Sequence, residues 1–366
     1  MILLTMLMIP ILVDLGFLIA GGSKFSIKKF LLDIGVQTIL MAVIAYAISC
    51  QNTSDTEVWN GKITSKAREE VSCEHSYSCH CYTSCSGSGS SRSCSTYCQT
   101  CYEHSYDVDW AVYTSLKNRF TIGRVSRQGI TEPARWDAVE IGEPYSRTSE
   151  YTNYVKGSPD TLFRHQGLTA KFKDVLPEYP KNIYDYYHLD RLVTVGTVLA
   201  DVAMWNKDLM QLNADLGSSK QVNAVVVITK DQPEDYFYAL EQQWIGGKKN
   251  DVVLVINVDS SGKISWVNSM AWTDNKIFQV ALRDSILQVG SLDREKIVAS
   301  LRTNINQNFV RKPMKDFQYL SRLIKPTTGQ WIFSMVFGLA LSVGMGILLL
   351  KNDVFNEEVT SYRRRV

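Results

Sequence analysis

Hydrophobic positions along this chain fall into three kinds of pattern. Near both ends they form almost continuous runs. The first covers residues 2–20, broken by Pro10 and Asp14; the second covers 30–49 and carries Asp33 and Gln37; the third, 331–350, has no charge. A helix needs roughly 20 apolar residues to cross the hydrocarbon core. Three membrane helices are therefore expected, the first two as a hairpin. The first run also has the length of a secretory signal. It has no basic leading segment and no Ala-x-Ala cleavage site, and a second apolar run follows almost at once, so a retained hairpin is the better reading.

The second kind of pattern lies between Gln221 and Asp259. Two short runs rich in β-branched residues, 224–229 and 252–258, flank a segment of helical length, 236–244. This is the form of a β-α-β unit with buried strands. Helical spacing over 195–216 puts Leu199, Val202, Trp205, Leu209 and Leu212 on one face. The same reading predicts strands at 222–229, 252–258 and 264–267, and helices at 233–244, 275–288 and 293–308.

The third kind is alternation. Val108, Trp110 and Val112 alternate with polar residues, and Gly and Pro punctuate the stretch up to Tyr187. Short strands and turns are expected there. Residues 53–72 read as a polar linker with one short strand at 58–63. Residues 309–325, with Phe317, Leu320 and Leu323 among five basic side chains, read as an amphipathic helix, suited either to lipid headgroups or to a solvated linker.

The expected architecture is a multi-domain membrane protein. Residues 1–50 hold an N-terminal helical hairpin, 51–187 a Cys-rich, β-rich exported module, and 188–310 an α/β domain. An amphipathic linker (311–330), a C-terminal transmembrane helix (331–350) and a basic tail (351–366) complete it. Orientation follows from Lys24, Lys28 and Lys29 between the first two runs, and Lys351, Arg363, Arg364 and Arg365 after the last. Basic flanks belong in the cytoplasm. The large middle region then lies outside, in the periplasm of a bacterial inner membrane. A net charge of +2 argues against nucleic-acid binding; the expected partners are the bilayer and another membrane or exported protein.

Cysteine usage is local. Cys73, Cys79, Cys81 and Cys85 precede a Ser/Gly loop; Cys94, Cys98 and Cys101 follow it; Cys50 stands apart at the edge of an apolar run. Glu-His-Ser-Tyr occurs on both sides, at 74–77 and 103–106. The symmetry suggests one long hairpin. Disulfides would staple it in an exported compartment. Reduced thiolates with His75, His80 or His104 would instead hold zinc, and Cys98-x-x-Cys101 has the reach. The exported address favours disulfides. Seven is odd, so Cys50 supplies the eighth partner, or one thiol stays free or links two chains; spacing does not fix the pairing.

Several other residues bear on chemistry. Asp14 and Asp33 sit within apolar runs, which suits either an ion relay or buried hydrogen bonds between helices. The second is expected. Gly338, Ser342 and Gly346 recur at four-residue spacing, a small-residue face for helix packing within the chain or between copies in a homo-oligomer. Asp231, Glu234, Asp235, Asp251, Asp259 and Asp274 fall near strand ends. Carboxylates at such an edge hold divalent cations, with Asp251, Asp231 and Asp259 as candidate ligands; helix N-terminal acids and solvated turns are the competing account. No Ser-His-Asp order, phosphate loop or nucleophile elbow occurs.

Trp244, Gly246, Gly247, Lys248, Lys249, Asn250 and Asp251, followed by Val252-Val253-Leu254-Val255, resemble the TPM domain family over residues 195–308. The resemblance implies an exported α/β domain tethered by a membrane helix. It implies either a phosphatase or calcium-binding activity, with Asp251 at the family's metal-ligand position, or a role in assembly beside membrane complexes. The family's third strand usually runs into Gly-x-Gly. Here residues 267–272 contain no glycine, so no catalytic residue is assigned. The cysteine hairpin joined to such a domain is also similar to membrane proteins of large tailed phages, which would place it in the host membrane. Two functions compete: a membrane-anchored interaction or assembly protein, and a divalent-metal-dependent hydrolase of the phosphatase type.

Overall fold

The computed structural model describes residues 2–21, 24–87, 89, 92–163 and 167–352, with side chains from Met6 onward. The basic tail residues Arg363, Arg364 and Arg365 lie outside the described residues. The chain runs α1 (Ile2–Ala20), α2 (Ile27–Thr53), β1 (Ser54–Val71), β2 (Ser76–Ser86), β3 (Ser93–Tyr102), β4 (Asp107–Thr114) and β5 (Arg119–Ile122). Then come α3 (Ala134–Asp137), β6 (Pro144–Thr152), α4 (Tyr154–Gly157), α5 (Leu168–Lys171), β7 (Leu192–Val195), α6 (Val202–Lys220), β8 (Asn223–Lys230) and α7 (Asp235–Gln243). The last elements are β9 (Asp251–Val258), β10 (Ile264–Ala271), α8 (Ile277–Val289), α9 (Arg294–Asn308) and α10 (Thr328–Lys351). Two units form: Met1–Thr56 with Glu150–Gln166 and Pro313–Val366, and Glu57–Ser149 with Gly167–Lys312.

In the first unit α1, α2 and α10 pack against one another around Met6, Leu7, Met41 and Ile48. Ser26 caps α2 by accepting from the Lys29 N–H, and Thr327 with Gln330 forms a reciprocal capping box on α10. α2 and α10 are long and apolar enough to cross a membrane; in α1 the apolar stretch with described side chains, Met6–Ala20, is shorter. Large apolar side chains such as Ile19, Ile39, Val43 and Val336 face outward rather than into this small core. Residues Met314–Leu323 form 3-10 turns, not the expected α-helix. Phe317 and Leu320, three apart and both buried, lie on one face of these turns.

The second unit contains two four-stranded sheets, ordered β5-β4-β1-β6 and β10-β9-β8-β7, and a separate two-stranded ribbon, β2-β3. β7, β8 and β9 are parallel, and β10 returns antiparallel to β9. Helices cover both faces of this sheet. Even-numbered residues of β8 and β9 (Ala224, Val226, Ile228, Val252, Leu254, Ile256) pack on α6, α8 and α9. Odd-numbered ones (Val225, Val227, Val253, Val255) pack on α7 and Phe172. Period-two alternation with both faces covered yields the unbroken apolar runs seen in the sequence.

Three expectations need correction here. The helix predicted from Val195 starts at Val202, because 192–195 form β7, an edge strand parallel to β8. The third strand runs to Ala271 rather than stopping at 267. The supposed linker at 53–72 is mostly β1, a strand of 18 residues. Its buried positions include Glu57 and Asn60, whose polarity hid the strand pattern. Both find partners: Glu57 pairs with Lys249 at 2.8 Å, and the Asn60 amide donates to the Val222 carbonyl at 2.9 Å.

Candidate functional site

The ribbon is built from two arms that bury no core. No residue of β2 or β3 is buried. An isolated two-stranded hairpin is at best marginally stable in water. Three disulfides take the place of a core: Cys79–Cys101, Cys81–Cys98 and Cys85–Cys94. Each such link typically stabilises by about 2–4 kcal/mol, largely by restricting the unfolded chain.

Parity decides how these pairs meet. Cys79, Cys81 and Cys85 are all odd-numbered, so a regular strand would put them on one face. Across the loop, Cys94 and Cys98 share one face of β3 while Cys101 takes the other. The register reconciles them. Cys79 pairs with Gln99 but Tyr82 with Tyr97, so β2 carries one extra residue. That residue falls at His80, whose φ is 46°. The bulge flips the face of β2, which sets Cys79 with Cys101 on one side and the two outer pairs on the other. Tyr82 and Tyr97 stack at 5.7 Å. Tyr77, Tyr82, Tyr97 and Tyr102 are 54%, 64%, 54% and 58% exposed. The result is a stapled, tyrosine-lined arm whose two strands carry no Asp, Glu, Lys or Arg.

Cys50 and Cys73 take no part in this stapling. Cys50 is therefore not the eighth partner of the hairpin cysteines.

The three candidate metal-ligating acids divide between the two ends of the sheet. Asp251 opens β9, whereas Asp231 and Asp259 follow the far ends of β8 and β9. Eight residues of strand separate them, on the order of 25 Å. Asp259 is half-buried and closes a turn, accepting from the Ser261 and Lys263 N–H groups at 2.8 and 3.0 Å. The Asp231 N–H donates to the Val258 carbonyl at 2.9 Å.

Asp251 is fully buried. Its carboxylate accepts from the Asn223 amide at 2.9 Å, the Lys248 N–H at 2.7 Å and the Tyr179 hydroxyl at 2.8 Å. Burial raises its pKa, against those three hydrogen bonds. Asn223 also accepts from Arg191 Nε at 3.0 Å. Arg191 is itself fully buried and donates to Asn60 at 2.5 Å, Ser146 at 2.7 Å and the Leu189 carbonyl at 2.7 Å. Burial pushes its pKa down to about 10. This cation and anion, bridged by Asn223, connect β1 and β6 of one sheet to β8 and β9 of the other. The pair is structural: both Asp251 oxygens are already occupied. Sequence reading missed Arg191, because arginine is rarely interior. Asn223, a polar residue inside an apolar run, was the available signal.

Among the helices, Gln37 donates to Asp14 at 3.0 Å and to Asp33 at 2.6 Å, and accepts from Ser342 at 2.8 Å. Asp14 of α1 is thus bonded across to α2, whereas the Asp33 bond lies within α2. Gly338, Ser342 and Gly346 are buried on α10. A Cβ at Gly338 would press on Pro10 at 3.2 Å, and one at Gly346 would collide with Phe17.

Comparison with family models, curated proteins and solved structures gives no match for this chain.

Proposed function

We propose that the protein is a membrane-anchored interaction or assembly protein that presents the stapled ribbon to another membrane or exported protein. One observation carries this reading: three disulfides hold rigid an arm that contributes nothing to any core. Rigid tyrosines offer large contact area at low entropic cost on binding, and they are enriched where proteins meet.

Three further features support it. α2 and α10 have the length and composition of spans. Lys24, Lys28 and Lys29 on one side of α2, and Lys351 at the end of α10, suit a cytoplasmic face, which leaves the ribbon on the other side. Stable disulfides belong to an oxidising compartment such as the periplasm. The parallel β7–β9 sheet with helices on both faces is in keeping with the TPM resemblance, and we assign that family to the α/β region as part of the proposal. The hydrolase reading loses its ligand set, since Asp251 is enclosed and far from Asp231 and Asp259.

Photo-crosslinking amino acids at Tyr82 and Tyr97, with exposed Val198 as control, test this in cells. The expected outcome is one discrete adduct from the ribbon positions alone, lost when Cys85 and Cys94 are changed to Ser. Equal labelling from Val198, together with phosphatase activity abolished by Asp251→Ala, would overturn it in favour of the hydrolase.

A further inference from the structure

Cys73 differs from the hairpin cysteines in chemistry as well as position. It is 7% exposed and carries a free thiol. It lies on the strand-to-strand connection entering the ribbon, between β1 and β2. His104 and Asp107 stand where the chain leaves the ribbon for β4. The Cys73 sulfur lies 3.9 Å from His104 Nδ1, and the same nitrogen lies 3.3 Å from Asp107 Oδ1. All three atoms are within 4.8 Å of one another.

A catalytic relay would use the two ring nitrogens of histidine for two different partners. Here one nitrogen faces both, which is convergence on a point. With zinc bonds of about 2.3 Å to sulfur and about 2.0 Å to nitrogen and oxygen, tetrahedral angles separate N from O by about 3.3 Å and S from N by about 3.5 Å. The N–O spacing of 3.3 Å matches, and the S–N spacing of 3.9 Å needs the sulfur to close by about 0.4 Å.

Asp107 supplies a second, independent observation. It is fully buried, and its Oδ1 makes no well-aligned hydrogen bond; the groups that face it are the His104 ring and the Cys73 thiol. The other oxygen, Oδ2, is held by the Glu74 N–H at 3.0 Å and by Arg124 at 3.2 Å. A buried carboxylate oxygen whose neighbours are poorly aligned as donors is costly unless something else takes it. A metal ligand fixed through its second oxygen has this arrangement. Arg124 does not leave the site positive, because it also pairs with Asp109 at 2.6 Å and Glu74 at 3.2 Å.

We propose that Cys73 Sγ, His104 Nδ1 and Asp107 Oδ1 form a zinc site that clamps the root of the ribbon. A thiolate and a carboxylate neutralise the dication, and the mixed S, N, O donor set suits zinc over calcium or magnesium. Binding releases the thiol proton and places the imidazole proton on Nε2. The fourth position is open to water. The nearby group Cys79, His80 and Cys101 is no rival while its two sulfurs are joined to each other. The site stands independently of what the ribbon binds.

The test uses the full chain in detergent, with its three disulfides verified by intact mass, and cobalt(II) as the probe. One equivalent of cobalt is expected to bind with a thiolate-to-metal charge-transfer absorption that zinc displaces. Cys73→Ser should abolish that absorption. His104→Ala, at a partly exposed position with little risk to folding, should weaken cobalt binding by about tenfold or more. Zinc should also protect Cys73 from alkylation. Absence of the absorption in the unmodified protein would overturn the proposal. So would an absorption that survives Cys73→Ser and disappears with Cys101→Ser.

Discussion

Single residues set the close approaches in this protein. Gly217 of α6 lies directly against the backbone of Asn60, and a Cβ there would collide with the Asn60 carbonyl. Asn60 cannot retreat, because it is held by Arg191, Ser146 and the Val222 carbonyl. Gly217→Ala is therefore expected to destabilise by about 1–3 kcal/mol. Ser218→Ala, one position along on an exposed site, should change stability by less than about 0.5 kcal/mol. Denaturant midpoints of the two variants check this. A Gly217→Ala protein as stable as the Ser218→Ala control would mean the strand and helix part at little cost. Gly247 illustrates another constraint. Its φ is 80°, and a Cβ would lie 3.2 Å from Asp251. The Trp-Ile-Gly-Gly turn is thus fixed both by backbone conformation and by the buried carboxylate beside it.

At the scale of elements, the ribbon and the sheet below it are stabilised by different means. The ribbon relies on covalent links. The β5-β4-β1-β6 sheet carries a ladder of opposite charges across its strands: Glu69 on β1, Asp109 on β4, Arg119 on β5 and Arg124 just beyond it. The Tyr113 hydroxyl, with Arg119, lowers the pKa of Glu69. Burial pushes Asp109 up, but Arg119 and Arg124 outweigh it and its pKa also falls. A carboxylate with a depressed folded-state pKa contributes stability that is present above its unfolded value, near 4, and is lost as pH falls through the folded value. The denaturation midpoint should therefore hold from neutrality to about pH 5 and decline below about pH 4. Arg119→Ala should flatten that decline. An unchanged acid slope in the variant would show that other carboxylates govern it.

For the whole molecule, the chain leaves and re-enters the helical unit. The unit containing α1, α2 and α10 joins segments from far apart in the chain, so α10 meets the α1–α2 pair only after the intervening residues have been made. Small residues allow this. Gly346→Leu should clash with Phe17 and lower the thermal stability of the detergent-solubilised protein, by the equivalent of about 1–3 kcal/mol. Gly344→Leu has open space within 4 Å and should be silent. Equal effects of the two would point to general helix propensity rather than packing. By itself the sequence determined whatever rests on local period and composition. The apolar runs of α2 and α10, the strands β8 and β9 with the helix between them, and the hairpin of cysteines are all readable one residue after another. Tertiary structure decided what depends on partners far along the chain. It buried Arg191 opposite Asp251 through Asn223, and turned polar residues of a supposed linker into β1. It also inserted a single bulge at His80 that settles which cysteines meet. The physical reason is the same in each case. A polar residue in a core and a register between strands depend on groups brought close by folding, and neither leaves a periodic mark in the sequence.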